Sequence, residues 1–83
     1  MKKEIGIYIS EELRSLRSIS NETVEEISNS TGLNKDTIYR YEKDASSIKI
    51  YILEQLLDHY GTNIFLFIAN INDRLQKKLK WLK

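Results

Sequence analysis

Two helix-start signals stand eleven residues apart in this chain, with a glycine between them. Thr23 is followed three residues later by Glu26, which is the spacing of a capping box at a helix N-terminus. Gly32 stands where that helix has to end, because a left-handed C-terminal cap is easily adopted only by glycine. Asn34 is a strong N-cap for the next helix. The pattern predicts two short helices joined by a tight turn over about residues 23–43.

The segment before this pair contains one clear helical pattern and one ambiguous pattern. Leu13, Leu16 and Ile19 fall on one helical stripe, and Ser10 is a suitable N-cap, so a first helix is expected from about Ser10. Isoleucines at every second position over residues 5–9 fit either a short strand or the approach to that helix. The conformation of residues 1–9 therefore stays open.

Two further helices are predicted after the pair. A fourth helix ends at Gly61 and buries an apolar stripe made of Ile50, Leu53, Leu56 and Leu57. Asn63 caps a fifth helix over about residues 63–82, whose apolar residues recur every three or four positions at Ile64, Ile68, Ile71, Leu75, Leu79 and Leu82. The sequence predicts an all-α fold of five helices, in a single domain over residues 1–83 with an extended C-terminal helix.

Composition excludes several functional classes. The chain has no cysteine, which removes disulfides, thiolate nucleophiles and most structural zinc sites. It has a single histidine, His59, which is expected at the surface or the edge of the core, and it has no glycine-rich phosphate loop. We therefore expect neither an enzyme nor a cofactor or metal. The longest apolar run, residues 64–69, is too short to span a bilayer, so a cytoplasmic protein without a membrane partner is expected.

The charge distribution gives no direct sign of a nucleic-acid partner. The net charge is +1, and residues 1–60 contain eight Lys and Arg against eleven Asp and Glu. Residues 61–83 contain five cations against one carboxylate. Any affinity for DNA has to come from a few cations gathered on one face.

The segment TVEEISNSTGLNKDTIYRYEK resembles the helix-turn-helix of the Cro and cI (XRE-like) repressor superfamily, and LEQLLDHYGTNIFLF resembles the helices that follow it there. The resemblance covers roughly residues 9–67, and its most specific residues are Gly32, Thr37, Ile38, Tyr41, Glu42 and Gly61. It implies a phage-repressor-like domain whose second paired helix enters the major groove of double-stranded DNA. The implied function is transcriptional regulation, and repression in particular, by a phage or other mobile element.

The resemblance also implies roles for particular residues. Arg17 and Glu42 are expected to form a structural ion pair between the first and third helices. In the third helix, which is the recognition helix of this family, Ile38 and Tyr41 form the inward stripe. The other residues of that helix and the start of the second helix are expected to contact bases or phosphates, namely Thr23, Asn34, Lys35, Asp36, Tyr39, Arg40 and Lys43. Val24 stands where the family often has a phosphate-contacting glutamine, and Ser28 replaces its usual alanine.

The C-terminal helix has two interpretations. Its apolar stripe is longer than a domain of this size needs for its core, so we expect a homodimer formed through Ile64, Ile68, Ile71, Leu75 and Leu79. The alternative is that the helix folds back on its own domain. A rival function also stays open, in which the chain is a protein-binding antirepressor or antitoxin-like module whose C-terminal helix docks a protein partner.

Overall fold

The computed structural model describes the backbone of residues 2–81 and the side chains of residues 5–78. Over residues 2–81 the chain forms five helices and no strand. These helices are α1 (Lys2–Ser20), α2 (Val24–Thr31), α3 (Lys35–Lys43), α4 (Ile50–His59) and α5 (Ile64–Trp81). The predicted all-α fold of five helices is confirmed.

The first helix begins earlier than predicted, and Ser10 is not its N-cap. Ser10 is fully buried in the middle of α1, where its hydroxyl donates a 2.7 Å hydrogen bond to the carbonyl of Tyr41. A serine can be an N-cap only where a helix begins. The prediction was wrong because the alternating isoleucines of residues 5–9 already belong to the helix. The expectation for Ile19 was also wrong, since its side chain is 79% exposed.

Gly6 allows α1 to pack closely on the loop between α3 and α4. A Cβ atom at this position would lie 2.5 Å from the backbone nitrogen of Ser46. The carbonyl of Gly6 also accepts a hydrogen bond of 3.3 Å from the amide of Ala45. The glycine therefore permits a backbone-to-backbone contact that any side chain would block.

The caps predicted around the tight turn are present. The Thr23 hydroxyl accepts a hydrogen bond from the Glu26 amide, and the Glu26 carboxylate accepts one from the Thr23 amide. Gly32 adopts the left-handed conformation with a φ of 80°, and its amide donates to the carbonyl of Ser28 at 2.9 Å. Asn34 Oδ1 accepts a hydrogen bond from the Asp36 amide. Local chemistry therefore fixes the relative placement of α2 and α3.

The core also differs from the predicted stripes in α4 and α5. The buried apolar residues are Leu13, Val24, Ile27, Ile38, Tyr41, Ala45, Leu53, Leu56, Leu57 and Phe67. Ile50, expected in the stripe of α4, is 63% exposed at the first residue of that helix. Phe67, which the prediction missed, is 1% exposed and anchors α5 in the core. Residues 64–68 are all apolar. Helical spacing alone therefore did not show that the face with Phe67, and not the face with Ile68, is buried.

One face of α5 folds back along α1 in the antiparallel direction. Lys78 Nζ donates to the hydroxyl of Tyr8 at 2.9 Å, and Asn70 and Arg74 contact Glu12. Residues later in α5 therefore contact residues earlier in α1, so the two helices run antiparallel. Within residues 2–81, no helix combines the length and the apolar character needed to cross a membrane.

Candidate nucleic-acid interface

The outward face of α3 carries polar and aromatic side chains. Ile38 and Tyr41 are buried, so the rotation of the helix about its axis is fixed by the core. All seven residues predicted to contact DNA are exposed: Thr23, Asn34, Lys35, Asp36, Tyr39, Arg40 and Lys43. Six of them lie on α3 or at its N-cap, and Thr23 is the N-cap of α2. The structure therefore places the predicted contacts on one surface formed by the two paired helices.

A shallow depression brings two of these residues together with α1. Thr23 at the start of α2 and Tyr39 on α3 line it, together with Arg14 and Arg17 on α1. Sequence reasoning did not select Arg14, which is exposed and adds a cation beside the start of α2. Its only signal in the sequence is its position about one turn before Arg17 on the same helix.

Two arginines of α1 hold the end of α3. Arg17 Nε and Nη2 donate to the two carboxylate oxygens of Glu42 at 2.7 and 2.9 Å, which is a bidentate ion pair. The hydrogen bond to Glu42 raises the pKa of the Arg17 guanidinium above its ordinary value. Arg14 Nη1 donates to the backbone carbonyl of Glu42, in the last turn of α3, where helix carbonyls lack a partner within the helix. These contacts fix α3 against α1.

Arg40 lies over an aromatic ring instead of extending from α3. Its guanidinium carbon is 4.9 Å from the centre of the Tyr41 ring, and Arg40 Nη2 donates to the Tyr41 hydroxyl at 3.3 Å. A cation over an aromatic face is stabilised by the ring quadrupole. Arg40 and Lys43 both lie in the last turn of α3, whereas Lys35 and Asp36 lie in its first turn.

Sequence reasoning also missed a contact between a histidine and a carboxylate behind this surface. His59 Nε2 on α4 lies 2.9 and 3.1 Å from the two carboxylate oxygens of Glu22, in the turn between α1 and α2. The hydrogen bond from His59 lowers the pKa of Glu22 below its ordinary value. Arg17 Nη1 donates to the backbone carbonyl of Glu22 at 3.4 Å. His59 therefore joins α4 to the turn that leads into α2.

An apolar groove lies between α5, the beginning of α1 and the beginning of α4. We call it the isoleucine groove; its isoleucines are Ile5, Ile9, Ile48, Ile50, Ile64, Ile68 and Ile71. Of the predicted dimer residues, Ile64, Ile71 and Leu75 are half-buried along its wall, and Ile68 is 57% exposed. The side chain of Leu79, the fifth of these residues, lies outside the described residues.

Two curated proteins are similar to this chain. A protein of Sulfolobus acidocaldarius described as an HTH-type transcriptional regulatory protein is 30% identical over an alignment of 86 residues. This alignment covers the whole of this chain and 28% of that protein. The cryptic phage CTXphi transcriptional repressor RstR of Vibrio cholerae is 31% identical over 78 residues, which cover 89% of this chain and 70% of RstR. The chain belongs to the family of helix-turn-helix transcriptional regulators. No family model and no solved structure matches it.

In this helix-turn-helix regulator, the substitution of serine at position 28 has a structural role. Ser28 Oγ donates to the carbonyl of Leu33 across the turn, at 2.6 Å. The hydroxyl therefore satisfies a backbone acceptor in the turn between the two paired helices. Among the side chains of residues 5–78, no group of three or more His, Cys, Asp and Glu lies close enough together to hold a metal ion.

Proposed function

We propose that the protein is a sequence-specific, DNA-binding transcriptional repressor of the Cro and cI type, encoded by a phage or other mobile element. It inserts α3 into the major groove of its operator. The observation that carries the proposal is the exposed face of α3, whose axial rotation is fixed by buried Ile38 and Tyr41. Two relatives named as transcriptional regulators support it, one of them a phage repressor.

The contacts divide along α3. In helix-turn-helix proteins the N-terminal part of the recognition helix meets base edges. Asn34 and Lys35 therefore donate to bases and Asp36 accepts from a cytosine amino group, while Tyr39 packs against the sugar or the thymine methyl. Arg40 and Lys43, one turn further on, contact phosphates and position the helix without reading sequence. This division is supported by the folded-back position of Arg40 on the Tyr41 ring.

A second set of phosphate contacts lies at the start of α2. The positive end of the helix dipole at Thr23 favours an anion, and Arg14 adds a full charge beside it. Arg14 is thus one of the few cations of residues 1–60 that this surface gathers on one face.

The binding unit is a homodimer that joins two copies through α5 and the isoleucine groove. Among the described residues, no Asp, Glu, Lys or Arg lines this groove and only Ser46 and Asn72 are polar, so an apolar surface matches it best. The same face of a second copy meets this requirement and forms a closed twofold interface. Two recognition helices about 34 Å apart then reach successive major grooves on one side of the DNA.

Selection from a random DNA pool, followed by sequencing, tests this function at two salt concentrations. We expect a palindromic motif whose affinity falls with salt, with a log–log slope of about −0.9 for each phosphate neutralised. A pool that shows no enrichment at low salt would refute the proposal. Sedimentation of the free protein at the same concentrations gives its oligomeric state independently of DNA.

A second candidate function is the docking of a protein partner on the isoleucine groove. It is favoured by the exposure of Ile50 and Ile68 together with the acidic balance of residues 1–60. Apolar docking is nearly independent of salt, whereas phosphate contacts are not. The salt dependence of binding therefore separates the two candidates.

A further inference from the structure

A carboxylate is buried in the middle of α1, where no helix terminus stabilises it. The side chain of Glu12 is 5% exposed, and both of its oxygens contact α5. Oε1 lies 2.8 Å from Arg74 Nη2, close enough for an ion pair although the approach is not aligned for a hydrogen bond. Oε2 accepts a 3.2 Å hydrogen bond from Asn70 Nδ2. Burial of this charge therefore depends on two particular residues of α5.

These contacts add little to stability, but they specify how α5 is placed on α1. Desolvation offsets much of the attraction in a buried ion pair, and apolar residues of similar size often stabilise a core equally well. Asn70 and Arg74 are one helical turn apart on the same face of α5. A rotation of α5 about its axis, or a shift along it by half a turn, about 2.7 Å, would carry Asn70 and Arg74 away from Glu12. The carboxylate therefore favours the rotation of α5 that turns the Asn70 and Arg74 face toward α1.

The same stretch of α1 also holds the recognition helix. Ser10 and Arg14, two residues before and after Glu12, donate to carbonyls of α3, and Arg17 pairs with Glu42. Over the described residues, α3 and α5 do not pack against each other, whereas α1 packs against both. α1 is therefore the helix that joins α5 directly to α3, and Glu12 lies in the segment of α1 that contacts both.

We propose that Glu12 is a positioning residue that sets the spacing between the two half-sites of the operator. This inference rests on the proposed dimer through α5. A change in the angle between α3 and α5 acts twice in a twofold dimer, once in each protomer. Major grooves on one side of the DNA recur only every 34–36 Å, so the second recognition helix then misses its groove.

The test compares variants of the full chain in the same random-pool selection. Glu12→Gln removes the charge, and the double variant Glu12→Leu with Arg74→Leu replaces the ion pair by apolar contact. Glu11→Gln is the matched control, because it makes the same chemical change one residue earlier on α1, at a less buried position. Thermal unfolding of each variant is measured alongside the selection.

We expect the wild-type chain and Glu11→Gln to select one half-site spacing. Glu12→Gln and the double leucine variant should keep the half-site sequence, while enrichment of the favoured spacing over spacings one base pair longer or shorter falls roughly tenfold. The double leucine variant should unfold at or above the wild-type temperature, which separates register from stability.

One result overturns this inference alone. In it, the wild-type chain selects a paired motif, and both Glu12 variants fold and keep the same spacing preference. A wild-type chain that selects single half-sites, or no motif, overturns the proposed dimer and this inference together. The two failures are therefore distinguished by the wild-type selection.

Discussion

Arg17 on α1 holds both carboxylate oxygens of Glu42 on α3, at 2.7 and 2.9 Å, and thereby fixes the end of α3. The Glu42 side chain is almost fully buried, whereas the Arg17 side chain is partly exposed. Removal of the arginine would leave a buried carboxylate without its main partner, which costs more than the loss of an exposed pair.

We therefore expect Arg17→Ala to lower the free energy of unfolding by about 2–3 kcal/mol, measured by urea denaturation. The partial exposure of Arg17 places this value below the usual cost of breaking a fully buried pair. Lys35→Ala is the control, since its side chain is exposed and its removal should change stability by less than about 0.5 kcal/mol. Equal effects of the two substitutions would contradict this role of the pair.

The two phenylalanines of α5 should respond differently to truncation. Phe67→Ala removes a fully buried ring from the core and should destabilise the monomer by about 3–5 kcal/mol. Phe65, two residues earlier, is 82% exposed, so Phe65→Ala should leave the unfolding free energy nearly unchanged. Thermal unfolding at a fixed low protein concentration checks both values, and a large loss in the Phe65 variant would indicate that this ring is covered in solution.

Stability should depend on pH through Glu22. Hydrogen bonding to His59 lowers the pKa of Glu22 below its ordinary value of 4.5, so the folded state favours the ionised carboxyl. The resulting stabilisation is fully present above pH 4.5 and is lost as the pH falls through the lowered pKa. We expect the difference in unfolding free energy between wild type and His59→Leu, which has no donor for Glu22, to shrink on acidification below about pH 4.5.

Carboxyl NMR titration gives a direct check of this pair. The pKa of Glu22 should rise toward its ordinary value in His59→Leu, because leucine has no donor and the largest cause of lowering is removed. Asp73, an exposed carboxylate on α5, serves as the internal reference in the same spectra. An unchanged Glu22 titration in the variant would show that the contact with His59 does not persist in solution.

Cations at the two ends of α3 should differ in their effect on DNA binding. Lys43→Ala should weaken binding to all sequences alike and reduce the salt slope by about one, as expected for a lost phosphate contact. Lys35→Ala should cost about 1–3 kcal/mol at the operator and relax specificity at one position. Arg40→Ala should resemble Lys43→Ala; a loss of specificity instead would assign Arg40 to a base. Competition assays with specific and random DNA measure these effects.

Local signals in the sequence predicted the turn region well, because capping and left-handed glycine depend on neighbours within a few residues. Thr23, Glu26, Gly32 and Asn34 behave as their types and spacing indicate. Ser10 failed for the opposite reason, since its partner, the Tyr41 carbonyl, lies 31 residues away. Small polar residues in contact with distant backbone have no local signature.

The same limit applied to charged residues in the interior. Glu12 and Arg74 are 62 residues apart, and neither spacing nor composition relates them. The pair of Glu22 and His59 was missed for the same reason, whereas Arg17 and Glu42 were selected through a family resemblance and not from spacing. The exposed face of α3 was predictable because buried Ile38 and Tyr41 fix the opposite side.

The close contact at Gly6 has a consequence for the order in which the molecule opens. A glycine inside a helix lowers the stability of that helix by about 1 kcal/mol relative to alanine. The first half of α1 would therefore be only weakly stable as an isolated helix. Its stability is drawn from the loop after α3, through the bond from the Ala45 amide to the Gly6 carbonyl. Native-state hydrogen exchange should therefore show the amides of residues 5–9 and the Ala45 amide opening as one cooperative unit.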